Sequence, residues 1–84
     1  MYEVLIERSA ERDLNKFSGG IFREIVPRIR ALSITPRPPG CCKLSGSERA
    51  WRIRIGVFRV IYEIDDKARI VRIMMVRHRR EVYR

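Results

Sequence analysis

The feature that most constrains the fold of this chain is an alternation of apolar and charged residues between positions 51 and 64. The apolar residues Trp51, Ile53 and Ile55 alternate with Arg52 and Arg54. After a two-residue interruption the alternation resumes, with the apolar residues Phe58, Val60, Tyr62 and Ile64. Because successive side chains of a β-strand point to opposite faces of the sheet, this pattern predicts a hairpin with one apolar face and one cationic face.

The remaining residues predict two helices and two further strands. Residues 2–7 and 69–76 are predicted as strands, and the second is apolar on both faces at its centre, as in a central strand. Residues 10–17 and 21–32 carry apolar side chains at helical spacing, and a kink or local break is expected at Pro27.

The predicted order is strand, helix, helix, strand, strand, strand, which favours an α+β fold. We expect a small twisted mixed sheet of about four strands with an N-terminal helix hairpin on one face. We expect the first and last strands to pair in parallel in the centre of the sheet, because the two helices supply the long crossover that such a pair needs. Ser9 is the expected N-cap, residues 18–20 end the first helix, and one or two strand residues are expected near Leu44.

Length and composition limit the class of protein. With 84 residues, the chain forms one domain over positions 1–84. It has no apolar run long enough to span a membrane, and its acidic N-terminal segment does not have the pattern of a signal peptide, so we expect a cytoplasmic protein. The adjacent Cys41 and Cys42 are expected as reduced thiols, and one histidine is too few for a zinc site.

The positive charge is concentrated in the second half of the chain. The formal net charge is +9, and positions 49–84 hold eleven basic residues, ten of them arginine, against four acidic ones. Arginine binds phosphate with two parallel hydrogen bonds and stacks on bases, so this half favours a nucleic acid or an acidic protein as partner. The alternative is a solvated face that keeps a small protein soluble.

The arginines of the predicted hairpin form the candidate catalytic cluster. If the apolar residues face the helices, Arg52, Arg54 and Arg59 share the opposite face, and residues 77–80 follow the last strand near them. Fixed guanidinium groups suit the attack of a ribose 2′-hydroxyl on the adjacent phosphate, because negative charge builds on the phosphate oxygens. His78 is the one base that titrates near neutral pH, and Tyr83 could transfer a proton or stack on a base.

Four segments together resemble the RelE/ParE toxin superfamily, and its RelE branch in particular: residues 36–40, 43–46, 51–62 and 78–84. This resemblance implies a ribosome-dependent mRNA interferase that cuts messenger RNA in the A site without a metal or cofactor. It also implies a cognate antitoxin that wraps and neutralises the protein. The site residues implied by matching motifs are Arg52, Arg54, Arg59, either Arg77 or Arg79, and Tyr83. We assign Lys43, Arg80 and Arg84 to RNA binding beside them.

The chain departs from the family pattern at the proton acceptor. Members of the family can have lysine at the positions of Arg52 and Arg54, and a guanidinium does not lose its proton near neutral pH. The role of the base therefore falls to His78, Tyr83 or water. Two alternatives remain at this point: a ParE-like toxin that acts on gyrase, and a non-catalytic, decayed toxin that binds its antitoxin or RNA.

Overall fold

The computed structural model describes residues 1–17 and 19–78. Within them it has two helices and five strands, in the order β1 (Glu3–Ile6), α1 (Arg8–Asn15), α2 (Gly19–Ala31), β2 (Cys42–Lys43), β3 (Ala50–Ile55), β4 (Phe58–Asp65) and β5 (Ile70–His78).

All five strands form one mixed sheet, in the spatial order β1-β5-β4-β3-β2. β1 and β5 are parallel, and every other neighbouring pair is antiparallel. The predicted α+β fold and the parallel pairing of the first and last strands are therefore confirmed. The central position expected for this pair is wrong for β1, which lies at the edge of the sheet because its other side has no strand partner among the described residues. The two-residue strand β2 lies within one residue of the strand expected near Leu44, and it extends the sheet beyond β3.

One face of the sheet packs against both helices, and we call it the helix-side face. Its core includes side chains that are at most 2 % exposed: Ile25, Leu32, Ile53, Val60, Tyr62, Val71, Ile73 and Val76. Ile53 lies opposite Val60, and Val60 lies opposite Val76, so one apolar row crosses three strands. Phe58 is also buried, whereas Trp51, which was expected in the core, is half-buried and packs against its border.

A β-bulge in β5 keeps this row apolar. Ile61 lies opposite Met75 and Tyr62 lies opposite Ile73, so the register skips Met74. A bulge inserts one extra residue into one strand of a pair and shifts the alternation beyond it. As a result Val71, Ile73 and Val76 all lie on the helix-side face, although Val76 is three positions from Ile73.

The first helix begins earlier than predicted. Its N-cap is Glu7, which makes no side-chain capping hydrogen bond, so the expectation that Ser9 caps the helix is wrong. The Ser9 hydroxyl instead donates to the carbonyl oxygen of Met74 in β5. The local sequence pattern predicted Ser9 as a cap, but its hydroxyl bonds to a strand that is distant in sequence.

The second helix contains three residues that were expected to interrupt helical structure. Gly19 and Gly20 open α2, and the helix runs unbroken through Pro27. Pro27 is exposed, on the side of the helix away from the buried Ile25 and Ile29. Proline has no N–H to bond the carbonyl group one turn earlier, but this carbonyl is on the exposed side and water can hydrate it. The buried side chains before and after Pro27 hold the helix against the sheet.

Helix α1 takes the place of β1 along the edge of β5. β1 ends at Ile6, opposite Ile73, but β5 continues to His78. The Glu7 amide donates to the Ile73 carbonyl oxygen at 3.0 Å, and the Val76 amide donates to Asp13 Oδ2 at 2.9 Å. Two backbone groups of β5 are in this way bonded to Glu7, the N-cap of α1, and to Asp13 within the helix.

In the part of the chain that the structure describes, neither helix has the length and apolar composition needed to cross a membrane.

Candidate active site

Three arginines lie side by side across the sheet. Arg54 of β3 is opposite Arg59 of β4, and Arg59 is opposite Arg77 of β5. Directly opposed residues of antiparallel strands share a face and have their Cβ atoms about 5 Å apart. These three residues, which we call the arginine row, therefore lie together on the face of the sheet away from the helices, as predicted for Arg54 and Arg59.

The next row on this face mixes charge with apolar surface. Arg52 lies opposite Ile61, which lies opposite Met75, and Cys42 of β2 lies opposite Arg52. We call the surface formed by these two rows the arginine face. Its residues are Arg52, Arg54, Arg59, Ile61, Met75 and Arg77. Arg52 is half-buried, as are Ile61 and Met75. The structure thus brings the two predicted basic residues of β3 to the same face.

The β-bulge at Met74 decides which residue of β5 joins the row. Regular alternation from Val71 and Ile73 would send Arg77 toward the helices. The extra residue reverses this, so Arg77 lies with Arg59 and His78 lies opposite Phe58 on the helix-side face. The sequence carries no local signal for this reversal, because Met74 and Met75 are both apolar.

The arginines differ in exposure. Arg54 is exposed, the Arg77 side chain is about one third exposed, and Arg59 is only 7 % exposed. A guanidinium as buried as that of Arg59 needs polar partners around it. Arg59 is thus part of the packed structure, and its truncation should lower stability as well as remove a charge.

Arg77 forms an ion pair with helix α1. Its Nη1 atom is 3.3 Å from Asp13 Oδ1, and Asp13 is only 5 % exposed. Asp13 was missed as a site residue in the sequence. The sequence feature that could have indicated it is the spacing of Ser9 and Asp13, which are four residues apart and therefore lie on one side of α1. Both side chains bond to β5.

The structure does not bring His78 into the arginine row. Its ring packs edge-on against Phe58, with the ring centroids 5.4 Å apart and the planes at 88°. Phe58 in turn contacts Phe17 at 4.7 Å. His78 is therefore part of an aromatic cluster on the helix-side face, on the other side of β5 from Arg77.

Lys43 also lies apart from the row. It is opposite Trp51, and Trp51 shares a face with Tyr62. Lys43 and Trp51 border a shallow depression of about 340 Å³, together with Arg37 and Asp66. The structure separates this predicted RNA-binding lysine from Arg54 and Arg59 by the thickness of the sheet. The predicted site residues Arg79, Arg80, Tyr83 and Arg84 lie outside the described residues.

A charged cluster closes the end of the sheet beside this depression. Asp66 accepts hydrogen bonds from Arg37 at 2.8 Å and from the Tyr2 hydroxyl at 2.6 Å. These bonds, that of Arg37 first, lower the pKa of Asp66 from 3.8 to about 2. Arg37 also lies over the Trp51 ring, 5.1 Å from its centroid. We call Tyr2, Arg37 and Asp66 the Asp66 clasp.

The residue between the clasp and the core is Tyr62. It is completely buried, and its hydroxyl donates to the Pro36 carbonyl oxygen at 2.8 Å. Burial is the main cause of a raised pKa for this phenol, with the neighbouring Cys41 as a further cause. Tyr62 is thus a neutral structural donor that anchors the proline-rich connector, and it takes no part in the arginine face.

The arrangement of the arginine face limits its chemistry. Guanidinium groups remain charged at any physiological pH, so the row can bind and stabilise a phosphate but cannot accept its proton. Glu63 also lies on this face, opposite Arg72 in the part of the sheet beyond the Arg52 row. The row is therefore built to stabilise negative charge, and the proton acceptor of any reaction has to come from elsewhere.

Comparisons with known proteins agree on the type of protein. The model of the family described as ParE toxin of type II toxin-antitoxin system, parDE, matches residues 4–83. The toxin-antitoxin complex RelBE2 from Mycobacterium tuberculosis contains a chain that is 32% identical, with 93% of this chain and 98% of that chain covered and a TM-score of 0.80. The archaeal RelE–RelB complex from Pyrococcus horikoshii gives 25% identity, coverage of 93% and 94%, and a TM-score of 0.82.

The isolated RelE toxin of E. coli has the same fold at 21% identity, with 99% of this chain and 92% of that chain covered and a TM-score of 0.81. No curated protein matches the chain significantly. The family model spans nearly the whole chain, and the solved structures reproduce its sheet and helices. The chain therefore belongs to the RelE/ParE superfamily of toxins from type II toxin-antitoxin systems.

Proposed function

We propose that this toxin is a RelE-like endoribonuclease that cleaves messenger RNA in the ribosomal A site. The observation that supports this proposal best is the arginine row, in which Arg54, Arg59 and Arg77 come from three adjacent strands. Like charges placed side by side oppose folding, and an anion bound to them relieves that repulsion. A phosphate of the RNA backbone supplies such an anion.

The proposed reaction is an attack of the ribose 2′-hydroxyl on the phosphate that follows it. A bond forms between the 2′-oxygen and phosphorus while the bond to the 5′-oxygen breaks, which leaves a cyclic 2′,3′-phosphate and a free 5′-hydroxyl. The 2′-hydroxyl gives its proton to a base, and the departing 5′-oxygen takes up a proton. Arg54 and Arg59 stabilise the negative charge that builds on the phosphate oxygens after the 2′-oxygen attacks and before the 5′-oxygen leaves.

The proton acceptor in this proposal is Tyr83 or water. The guanidinium groups of the row cannot serve. His78 packs against Phe58 on the helix-side face, so its ring is directed away from the phosphate that the row would hold. We place the reaction in the cytoplasm, where the toxin meets translating ribosomes.

We further propose that a cognate antitoxin neutralises the toxin. The structural relatives include several complexes of a toxin with its antitoxin. The formal charge of +9 favours an acidic segment as partner. The exposed side chains of Ile6, Ile34 and Val57 offer apolar surface for the same partner.

The test is cleavage of messenger RNA on programmed ribosomes by the wild type and by Arg54→Ala. Arg54 is exposed, so its removal leaves the fold intact. Loss of one contact to the phosphate is expected to lower the cleavage rate by about 10²–10³. Arg28→Ala removes an equally exposed arginine from α2 and serves as the matched control, with the wild-type rate expected.

Two further variants assign the proton acceptor. Tyr83→Phe should lower the rate and flatten its dependence on pH if the phenol transfers a proton. His78→Ala should leave the pH dependence unchanged, because His78 lies on the other face. Wild-type rates for both Arg54→Ala and Tyr83→Phe would contradict the proposed site and favour the non-catalytic toxin that only binds antitoxin or RNA.

The second candidate is inhibition of gyrase, as in the ParE branch. The observation in its favour is that the matching family model is the one for ParE toxins. It is tested by gyrase supercoiling assays with the purified toxin beside the ribosome assay. Inhibition of supercoiling without messenger RNA cleavage would favour this candidate over the first.

A further inference from the structure

One buried acidic residue is unexplained by the proposed chemistry. Asp13 is only 5 % exposed, and it lies on α1, which contributes no residue to the arginine face. A buried carboxylate costs free energy unless its oxygens have partners. The partners of Asp13 are two successive residues of β5, so its position bears directly on how that strand is held.

The two oxygens of Asp13 have different partners. Oδ2 accepts the Val76 amide at 2.9 Å, and Oδ1 is 3.3 Å from Nη1 of Arg77. One carboxylate thus ties the backbone of β5 to the side chain of the next residue. A charge-assisted bond to a backbone amide fixes the carboxylate, and the fixed carboxylate in turn restricts the guanidinium.

We infer that Asp13 is a positioning residue, which holds the guanidinium of Arg77 at the edge of the arginine row next to Arg59. This inference rests on the proposed cleavage of messenger RNA. Arg77 carries a long side chain with considerable rotamer freedom, and it is about one third exposed. The ion pair removes part of that freedom before substrate binds, and the negative charge of Asp13 offsets the repulsion between neighbouring arginines.

The bulge and the helix act on the same residue. The bulge at Met74 directs Arg77 to the arginine face, and α1 meets β5 at Met74 and Val76, on either side of Met75. The Ser9 hydroxyl bonds to the carbonyl oxygen of Met74, three residues before Arg77. It therefore offers a control that weakens the contact between α1 and β5 without changing the charge beside Arg77.

The positioning role of Asp13 is tested by a double-mutant cycle on the rate at which the toxin cleaves messenger RNA on ribosomes. Asp13→Asn keeps an oxygen that can accept the Val76 amide but removes the charge that holds Arg77. We expect it to lower the rate about 10- to 100-fold at saturating ribosomes, as misplacement of a reacting group does. In an Arg77→Ala background the same substitution should have no further effect, and Ser9→Ala alone should cleave at nearly the wild-type rate.

A purely structural role of Asp13 gives a different result. Asp13→Asn would then cost the same factor with Arg77 present or absent, and this additivity would overturn the inference. A wild-type rate for Asp13→Asn, or a faster one, would overturn it as well.

A second measurement separates this inference from the proposed function. Nuclear magnetic relaxation of the Arg77 Nε–H group in the purified toxin reports the order of its side chain without any reaction. We expect greater mobility in Asp13→Asn and unchanged order in Ser9→Ala. If the wild type cleaves no messenger RNA, the proposed function fails; if Asp13→Asn leaves the order of Arg77 unchanged, the positioning role fails whatever the activity.

Discussion

The two faces of the sheet use the same strands for opposite purposes. On the helix-side face, Ile53, Val60 and Val76 form an apolar row that is almost inaccessible to water. One residue away along each strand, Arg54, Arg59 and Arg77 form a row of cations. The apolar row stabilises the fold through burial, whereas the arginines of the other row repel one another and depend on partners such as Asp13, which pairs with Arg77. The same three strands thus carry a packed apolar layer on one face and a concentration of positive charge on the other.

Placing the same charge on each face in turn tests the assignment of the two faces. Val60 is completely buried between Ile53 and Val76, so Val60→Asp leaves a carboxylate in an apolar layer and should cost at least about 4 kcal/mol. Ile61→Asp places it opposite Arg52 and should cost about 1 kcal/mol. Urea denaturation followed by circular dichroism measures both, and similar losses would contradict the assignment of the faces.

Removing the bulge tests how strictly the faces are separated. Deletion of Met74 leaves Ile73 opposite Tyr62 and Val76 opposite Val60, so every later side chain keeps its face. We expect a loss of about 2 kcal/mol in the free energy of unfolding, because the bond from the Ser9 hydroxyl goes with it. Deletion of Ile61 serves as the comparison. It reverses the faces of one part of β4 and should prevent folding.

Binding of an anion to the arginine face should raise the stability of the toxin. If the arginine row binds phosphate in the folded protein, a short oligophosphate at ten times its Kd should add about 1.4 kcal/mol to the stability of the toxin. Thermal unfolding detects this as a rise in Tm. The rise should be smaller in Arg54→Ala and unchanged in Arg28→Ala. An equal rise in all three proteins would mean that the anion binds at random on the surface.

The smallest expected effect concerns the Asp66 clasp, where charge stabilises the end of the sheet. The pKa of Asp66 is lowered to about 2 in the folded protein, mainly by Arg37. A lowered pKa contributes stability that is present above the unfolded value of about 3.8 and is lost as the pH falls toward 2. Asp66→Asn should therefore be slightly less stable than the wild type at pH 6, and the difference should vanish near pH 2.

The control for this measurement is Glu24→Gln, which neutralises an exposed carboxylate on α2. It should shift stability equally little at either pH. A gap between Asp66→Asn and the wild type that stays constant down to pH 2 would show that the loss comes from packing and not from charge.

Much of the fold could be predicted because its determinants are local. Alternation in β3 and β4 placed Arg52, Arg54 and Arg59 on one face and Ile53, Phe58 and Val60 on the other, and the structure confirms this. Helical spacing located both helices, although not where they begin. The parallel pairing of the first and last strands followed from the order of elements alone.

What could not be predicted depends on contacts between distant segments. The bulge at Met74 moves Arg77 and His78 to faces that alternation does not assign them, and no turn residue marks it. The role of Asp13 depends on α1 lying along β5, and the fate of the Ser9 hydroxyl has the same cause. The burial of Arg59 belongs to this group as well. The roles of Arg79, Arg80, Tyr83 and Arg84 stay predictions.

The parallel pairing of β1 with β5 has a consequence for how the toxin is made. Glu3 finds its partner in Ile70, and Ile6 in Ile73, so the sheet cannot close on its first strand until nearly the whole described chain has left the ribosome. Arg77 belongs to that same late strand and completes the arginine row in the same step. A nascent chain that lacks β5 thus has neither the finished sheet nor the complete arginine row.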